Sequence, residues 1–195
     1  MFLEQKSFGG MQDIEKMALR TCSKDPVSVH MTGESIDRIY KNGVLVDEIH
    51  GHNLVVNTFL NLVMCLVKQQ TGYGGLQYWA VGSGSASWDS SPVTPDIDAK
   101  RLTQEIGRVP LSADCFSFLN ADFEPVNTPS NILQIKRLFS ESECNGVWRE
   151  FGIFGGNATS ATNSGIMINK RHHGVITKTN EMQVERIMRF VLNLV

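Results

Sequence analysis

His50-Gly51-His52 sets two imidazoles at i and i+2, the spacing at which an extended strand presents both on one face. Asp47 or Glu48 would supply the further ligand that a metal site needs. The plainer reading is preferred: two polar residues at a strand-to-helix turn. The adjacent pair His172-His173 would point to opposite faces of a strand, poorly placed for chelating one ion, and is expected to face solvent. Gly82-Ser83-Gly84-Ser85 lacks the closing glycine and the following helix of a nucleophile elbow. Gly82-x-Gly84 lacks the rest of a dinucleotide fingerprint, and no phosphate-loop lysine accompanies it. Glu141 and Glu143 sit in a Ser-Glu-Ser-Glu turn; an acid pair for glycoside hydrolysis would have to converge in space from elsewhere. The expectation is a protein with no catalytic residues, no cofactor and no metal.

Glu150 is the charge of most interest. It stands between Trp148-Arg149 and Phe151-Gly152-Ile153-Phe154, a mostly apolar strand, so it is expected to be partly buried and to need a cation or backbone donors. Arg108, which follows Leu102 and Glu105, is the expected partner, in a structural pair that fixes a loop or strand register. Gly82, Gly84 and Gly152 are expected at turns.

These residues must be positioned by a chain of 195 residues, 42% hydrophobic and 19% charged, long enough for one substantial core. A net charge of −2 argues against a protein that grips nucleic acid, and the only basic cluster is Lys170-Arg171-His172-His173. Cys22, Cys65, Cys115 and Cys144 are dispersed without a C-x-x-C pair and are expected to be reduced. The first residues carry no apolar leader core, and the longest apolar run, Leu54 to Val67, is broken by Asn57, Thr58 and Asn61. It falls short of the roughly 20 residues of a spanning helix, so a soluble protein made in a cytoplasm is expected.

Residues 1–25 differ from the rest. After Phe2 and Phe8-Gly9-Gly10, Met11, Ile14 and Met17 fall at helical spacing before Lys24-Asp25-Pro26. This segment reads as an N-terminal arm or short helix, with Phe2, Phe8, Met11, Ile14 and Met17 as interface residues. Residues 26–195 read as a single β-rich domain. Asn42-Gly43 between two alternating runs is a strong hairpin signal. The best helix spans about residues 53–68, with Asn53 as its cap and apolar residues on nearly every face. Burying each would contribute about 1.5–3 kcal/mol, so the helix is expected to be buried by a sheet, loops or another subunit. Leu76–Val81 reads as a strand ending at Gly82. A long Gly/Ser/Pro loop follows, with Trp88 at its centre, either folded back on the body or inserted into a partner as an anchor. The remaining runs alternate at short intervals: 116–123, 132–139, 147–154, 166–170, 175–178 and 184–194. With one helix they predict a mainly β fold, an antiparallel β-sandwich or barrel-like body.

Several blocks follow one another in order: Asn53-Leu54-Val55-Val56-Asn57, Val81-Gly82-Ser83-Gly84, Pro92-Val93-Thr94-Pro95-Asp96, then Leu102, Glu105 and Arg108. Glu150-Phe151-Gly152-Ile153-Phe154, Ile166 to Arg171, Thr177-Lys178 and a terminal strand complete the pattern. Over residues 40–195 this order resembles small virion structural proteins of tailed bacteriophages, of tail, baseplate or collar-fibre type. The resemblance implies a non-enzymatic β-rich component, made in the host cytoplasm and located in the virion. It would act by homo-oligomerisation and docking to other virion proteins, with no membrane and no specific nucleic acid as partner. The alternatives are a capsid decoration or cement protein, or a receptor module of a tail fibre binding a host-surface glycan through Trp88, Tyr73 or Trp79.

Overall fold

The computed structural model describes residues 29–194; the expected arm, with Phe2, Phe8, Met11, Ile14 and Met17, lies outside the described residues. The first strands are β1 (Val29–Lys41), β2 (Val44–His52) and β3 (Leu54–Val55), followed by the helix α1 (Thr58–Val67). Then come β4 (Gly74–Gly82), β5 (Glu105–Pro110), β6 (Phe116–Leu119), β7 (Pro125–Val126), β8 (Ile132–Phe139), β9 (Gly146–Gly156), β10 (Ile166–Lys178) and β11 (Met182–Leu194). They form two sheets, ordered β2-β1-β11-β8-β6-β7 and β3-β10-β9-β4-β5. The pairs whose registers are defined are antiparallel. The mainly β, antiparallel sandwich predicted from the alternation is the fold that forms.

The alternation explains the layers. Trp79 and Val81 of β4 and Phe151 and Ile153 of β9 point inward, where Ile135 and Phe139 of β8 and Val184, Met188 and Phe190 of β11 meet them in one buried cluster. Trp79 and Phe139 touch edge-to-face across the layers, ring centroids 6.4 Å apart. Asn42 and Gly43 take φ values of 51° and 77°, the pair of left-handed residues a two-residue hairpin turn requires. Gly152 is not at a turn: it lies inside β9, where a Cβ would come 2.8 Å from the carbonyl oxygen of Asn169 on β10.

α1 departs from expectation in two ways. It starts at Thr58 rather than near residue 53, because Leu54 and Val55 pair with Lys170 and Asn169 along the free edge of β10. β-branched Val55 and Val56 suit an extended chain better than a first helical turn, and Val56 N–H donates to Ile168 O at 3.0 Å. The capping position passes to Asn57, whose Nδ2 donates to Asp98 Oδ1 at 2.7 Å. The helix is also not buried on most sides. It crosses one end of the sandwich and touches β4, β9 and β10. Leu62 is its only fully buried residue, while Leu60, Met64 and Val67 are 63%, 66% and 73% exposed.

β5 was not foreseen. β10 runs as one strand through both segments expected at 166–170 and 175–178, with an irregularity between His172 and Ile176.

Candidate functional site

Of the polar residues singled out from sequence, Glu150 lies on β9 and Lys170 to His173 on β10, and their side chains fall in two layers. One lies on the outer face of the five-stranded sheet, under the long segment between β4 and β5; the other lies between the sheets.

In the outer layer, Glu150 is fully buried. Its Oε1 accepts from the backbone N–H of Gln104 at 2.8 Å, and Lys170 Nζ lies 3.1 Å from its Oε2. That ammonium also donates to Arg101 O at 3.3 Å and to Thr103 Oγ1 at 3.1 Å. Glu150 therefore finds both a cation and a backbone donor, as its surroundings required, but the cation is Lys170. The expected Glu150–Arg108 pair does not form. Arg108 is taken by Glu105 on its own strand, with Nε–Oε1 at 2.6 Å and Nη2–Oε2 at 2.8 Å, both side chains buried. The reason is local: Glu105 stands three residues from Arg108, with the register irregularity of the β4–β5 pair between Val81 and Gly82 at its end of β5. Arg108 also donates to Thr159 O at 2.9 Å and Ser164 O at 3.1 Å, and its guanidinium lies 4.7 Å from the Phe154 ring centroid. A clasp results that ties the segment between β9 and β10 to β5.

Gly82 ends β4 beside Glu150, and a Cβ there would fall 2.7 Å from Glu150 Oε1. Gly84, at φ 55°, turns the chain under the ring of Trp88. Trp88 sits on a short 3-10 turn, Ala86–Asp89, and stacks on His172 with ring centroids 4.0 Å apart. Of the two readings open for this residue, folding back onto the body is the one realised. Asp89 is gripped by Arg149 through two contacts of 2.8 Å, which pins the same turn to β9. His172 Nδ1 lies 2.7 Å from Val93 O; a carbonyl only accepts, so that nitrogen carries the proton. Its Nε2 is 3.9 Å from Glu150 Oε2, and burial above all holds its pKa below the usual imidazole value. A cleft of about 420 Å³ opens here, lined by Trp88, Asp89, Val93, His172 and His173.

Between the sheets, Arg186 of β11 makes a bidentate pair with Asp37 of β1, Nη2–Oδ2 at 2.9 Å, and both are fully buried. Its guanidinium lies 4.2 Å from the centroid of Phe151. His173 Nε2 meets Arg186 Nη2 at 3.4 Å. Burial, with Arg186 next in importance, pushes the His173 pKa down to about 3, so the ring is neutral at physiological pH and accepts that bond. Arg171 of β10 donates to Ser35 Oγ and, at 3.2 Å, to His50 O. The run Lys170 to His173 is thus not the solvent-facing basic patch its composition indicated. Its four side chains point alternately under the loop and into the sandwich.

Sequence reasoning missed Asp37, Arg186 and the buried Lys178, which reaches Asn145 Oδ1 at 2.7 Å. The signal available was a charged residue on an otherwise apolar inward face, as with Arg186 among Val184, Met188 and Phe190. His50 Nε2 pairs with Glu48 at 2.8 Å on the exposed edge strand, and His52 is exposed. No group of three or more His, Cys, Asp or Glu side chains able to hold a metal occurs among the described residues. Cys65, Cys115 and Cys144 are free thiols.

The second feature is apolar. Leu60, Met64 and Val67 occupy positions i, i+4 and i+7 of α1 and form a solvent-facing stripe. Beside it an apolar groove of about 270 Å³ runs between the helix and the ends of the sheets, lined by Met31, Phe59, Leu66, Leu133, Phe190 and Leu192. Chemically, the polar networks hold charge in fixed, paired positions, while the stripe and groove offer apolar area to a partner. No protein-family model, curated protein or solved structure matches this chain.

Proposed function

We propose that this protein is a structural component of a phage particle, working by docking to copies of itself and to other virion proteins. The observation that carries the reading is the apolar stripe of α1: Leu60, Met64 and Val67, each more than half exposed, next to an apolar groove. Leaving three large aliphatic side chains in water forgoes about 1.5–3 kcal/mol apiece, which a permanent interface recovers. The buried ion pairs fit the same role, since they fix register in a body that must present a constant surface. The ordered blocks over residues 40–195 that resemble tail, baseplate or collar-fibre proteins point to the virion as the setting. The glycan-binding alternative is less favoured, because Trp79 is fully buried and Trp88 commits one ring face to His172.

Light scattering after gel filtration tests the reading. The wild-type chain should run as an oligomer, and the Leu60→Glu/Met64→Glu double variant should shift towards a lower mass while still melting in one cooperative transition. A wild-type protein of one-chain mass at every concentration would overturn it.

A further inference from the structure

Thr32 and Glu34 of β1 and Arg189 and Val191 of β11 alternate with the inward Ser35 and Phe190, and so lie on the outer face of the six-stranded sheet. His52 of β2 faces Glu34 in register, and Phe123 reaches in from the turn between β6 and β7. Together these six side chains line a cleft of about 430 Å³. The turn is a three-residue hairpin loop. Asn120 O accepts from Phe123 N–H at 3.0 Å, Asn120 Oδ1 accepts from the N–H of Asp122 at 3.0 Å and of Glu124 at 2.9 Å, and the loop closes through Phe123 at φ 62°. That left-handed position suits glycine, and a bulky aromatic there is an outlier. The other described non-glycine residues with positive φ are Asn42, Gln69, Cys144 and Asn163, none of them aromatic. Burial does not account for Phe123 either, since it is 44% exposed. Its ring covers Arg189, whose guanidinium carbon lies 5.0 Å from the centroid. Arg189 Nε donates to Gln134 Oε1 at 3.0 Å, which fixes the plane of the guanidinium. Its terminal nitrogens form no hydrogen bond among the described residues; Glu34 Oε2 stands 3.9 Å from Nη1.

We propose that this cleft binds a sugar acid, a small ligand with one carboxylate and several hydroxyls. The inference goes beyond the assembly reading and does not rest on it. A guanidinium braced at Nε and open at both terminal nitrogens matches the two oxygens of a carboxylate. Glu34 then sorts the candidates. A phosphate carries more than one negative charge and would be repelled beside it, whereas a hydroxyl donates to it. A carboxylate without hydroxyls would satisfy Arg189 and leave Glu34 with no donor. His52 and Thr32 offer further hydrogen-bonding groups for hydroxyls, and Phe123 and Val191 provide apolar walls for the C–H face of a ring. The volume falls within the roughly 300–1,000 Å³ of small-molecule sites, which likewise combine apolar walls with a few polar groups that fix orientation. The strained turn thereby acquires a purpose, because glycine at residue 123 would leave Arg189 uncovered and the cleft without its aromatic wall.

Ligand-detected NMR titrations of the full chain with D-glucuronate, D-glucose, acetate and inorganic phosphate test this. Glucuronate should bind wild type with a Kd of about millimolar, and the other three at least about tenfold more weakly. A hyaluronan tetrasaccharide that binds more tightly than glucuronate points to the acid within a polysaccharide, and equal affinity points to the free acid. Arg189→Gln should abolish the preference for glucuronate over glucose. Phe123→Gly should weaken glucuronate by about tenfold or more while its melting temperature stays at or above that of wild type, because glycine adopts the turn freely. If Phe123 served only the fold, Phe123→Gly would melt lower and leave binding unchanged. That result, phosphate or acetate binding as tightly as glucuronate, or folded wild type binding none of the probes would overturn the proposal. A protein of one-chain mass that binds glucuronate would sink the assembly reading and leave this one standing.

Discussion

His173 makes the sandwich sensitive to mild acid. Its ring lies between the sheets, accepts a bond from Arg186 and packs 6.0 Å from the Phe151 centroid, and its pKa is held down to about 3. In the unfolded chain an imidazole titrates near 6.5. Between those values the unfolded state takes up a proton that the folded state refuses, so stability is full above about pH 6.5 and falls as the pH drops towards 3. The slope is about 1.4 kcal/mol per pH unit, or about 2 kcal/mol lost between pH 7 and pH 5. The ring also borders the open cleft, and solvent there reduces the effect to about 1 kcal/mol. His172, with its pKa also lowered by burial, adds in the same direction. Urea unfolding at pH 7 and pH 5 measures this. The His173→Gln variant keeps an acceptor for Arg186 but cannot titrate, so its loss over that interval should be smaller than wild type by about 1 kcal/mol. Asp89 and Glu143, whose pKa values are lowered, release their stabilisation at more acid pH and cancel in the comparison. Equal losses in the two proteins would refute the account of His173.

Glu150→Gln keeps the shape of the side chain but leaves Lys170 buried beside a neutral amide; it should cost about 3 kcal/mol in urea unfolding, and a cost under about 0.5 kcal/mol would show the pair to be inert. Cys144, whose thiol is pushed up to about 11 by burial, should react with a disulfide reagent at pH 8 about 100-fold more slowly than a thiol of ordinary pKa; mass-resolved labelling reads this directly.

The parts of the fold that could be read from sequence are those where one local rule decides. Asn42-Gly43 required a tight hairpin, and the alternation from Val184 onward placed an inward face on β11. Gly84 was expected at a turn and supplies one. The start of α1 was not legible, because Leu54 and Val55 are claimed by the free edge of β10, a partner over a hundred residues away. Exposure of the helix was hidden for a related reason. Hydrophobicity states what burial would gain, not whether a neighbour exists to provide it. At the site, the burial of Glu150 followed from its apolar flanks, but its partner did not. Lys170 lies one strand over, whereas Arg108 had a carboxylate three residues from itself. Pairings of this kind depend on sheet order, and β5 itself escaped notice because Gly107 interrupts its pattern.

One backbone irregularity sets where the charges of β10 go. Between Met167 and Asn169 the strand carries one residue more than β9 opposite it, and Asn169 Oδ1 mends the ladder by accepting from Ile153 N–H at 2.9 Å. Met167 faces the loop-covered side and Ile168 the core; were the same residues paired one for one with β9, Lys170 and His172 would share the side of Ile168, while Arg171 and His173 would turn outward. Pairing the same residues without that irregularity would change no composition, yet it would aim an ammonium at the aromatic interior and strip Glu150 of its counterion. A phase shift of one position thus decides which cation belongs to which acid.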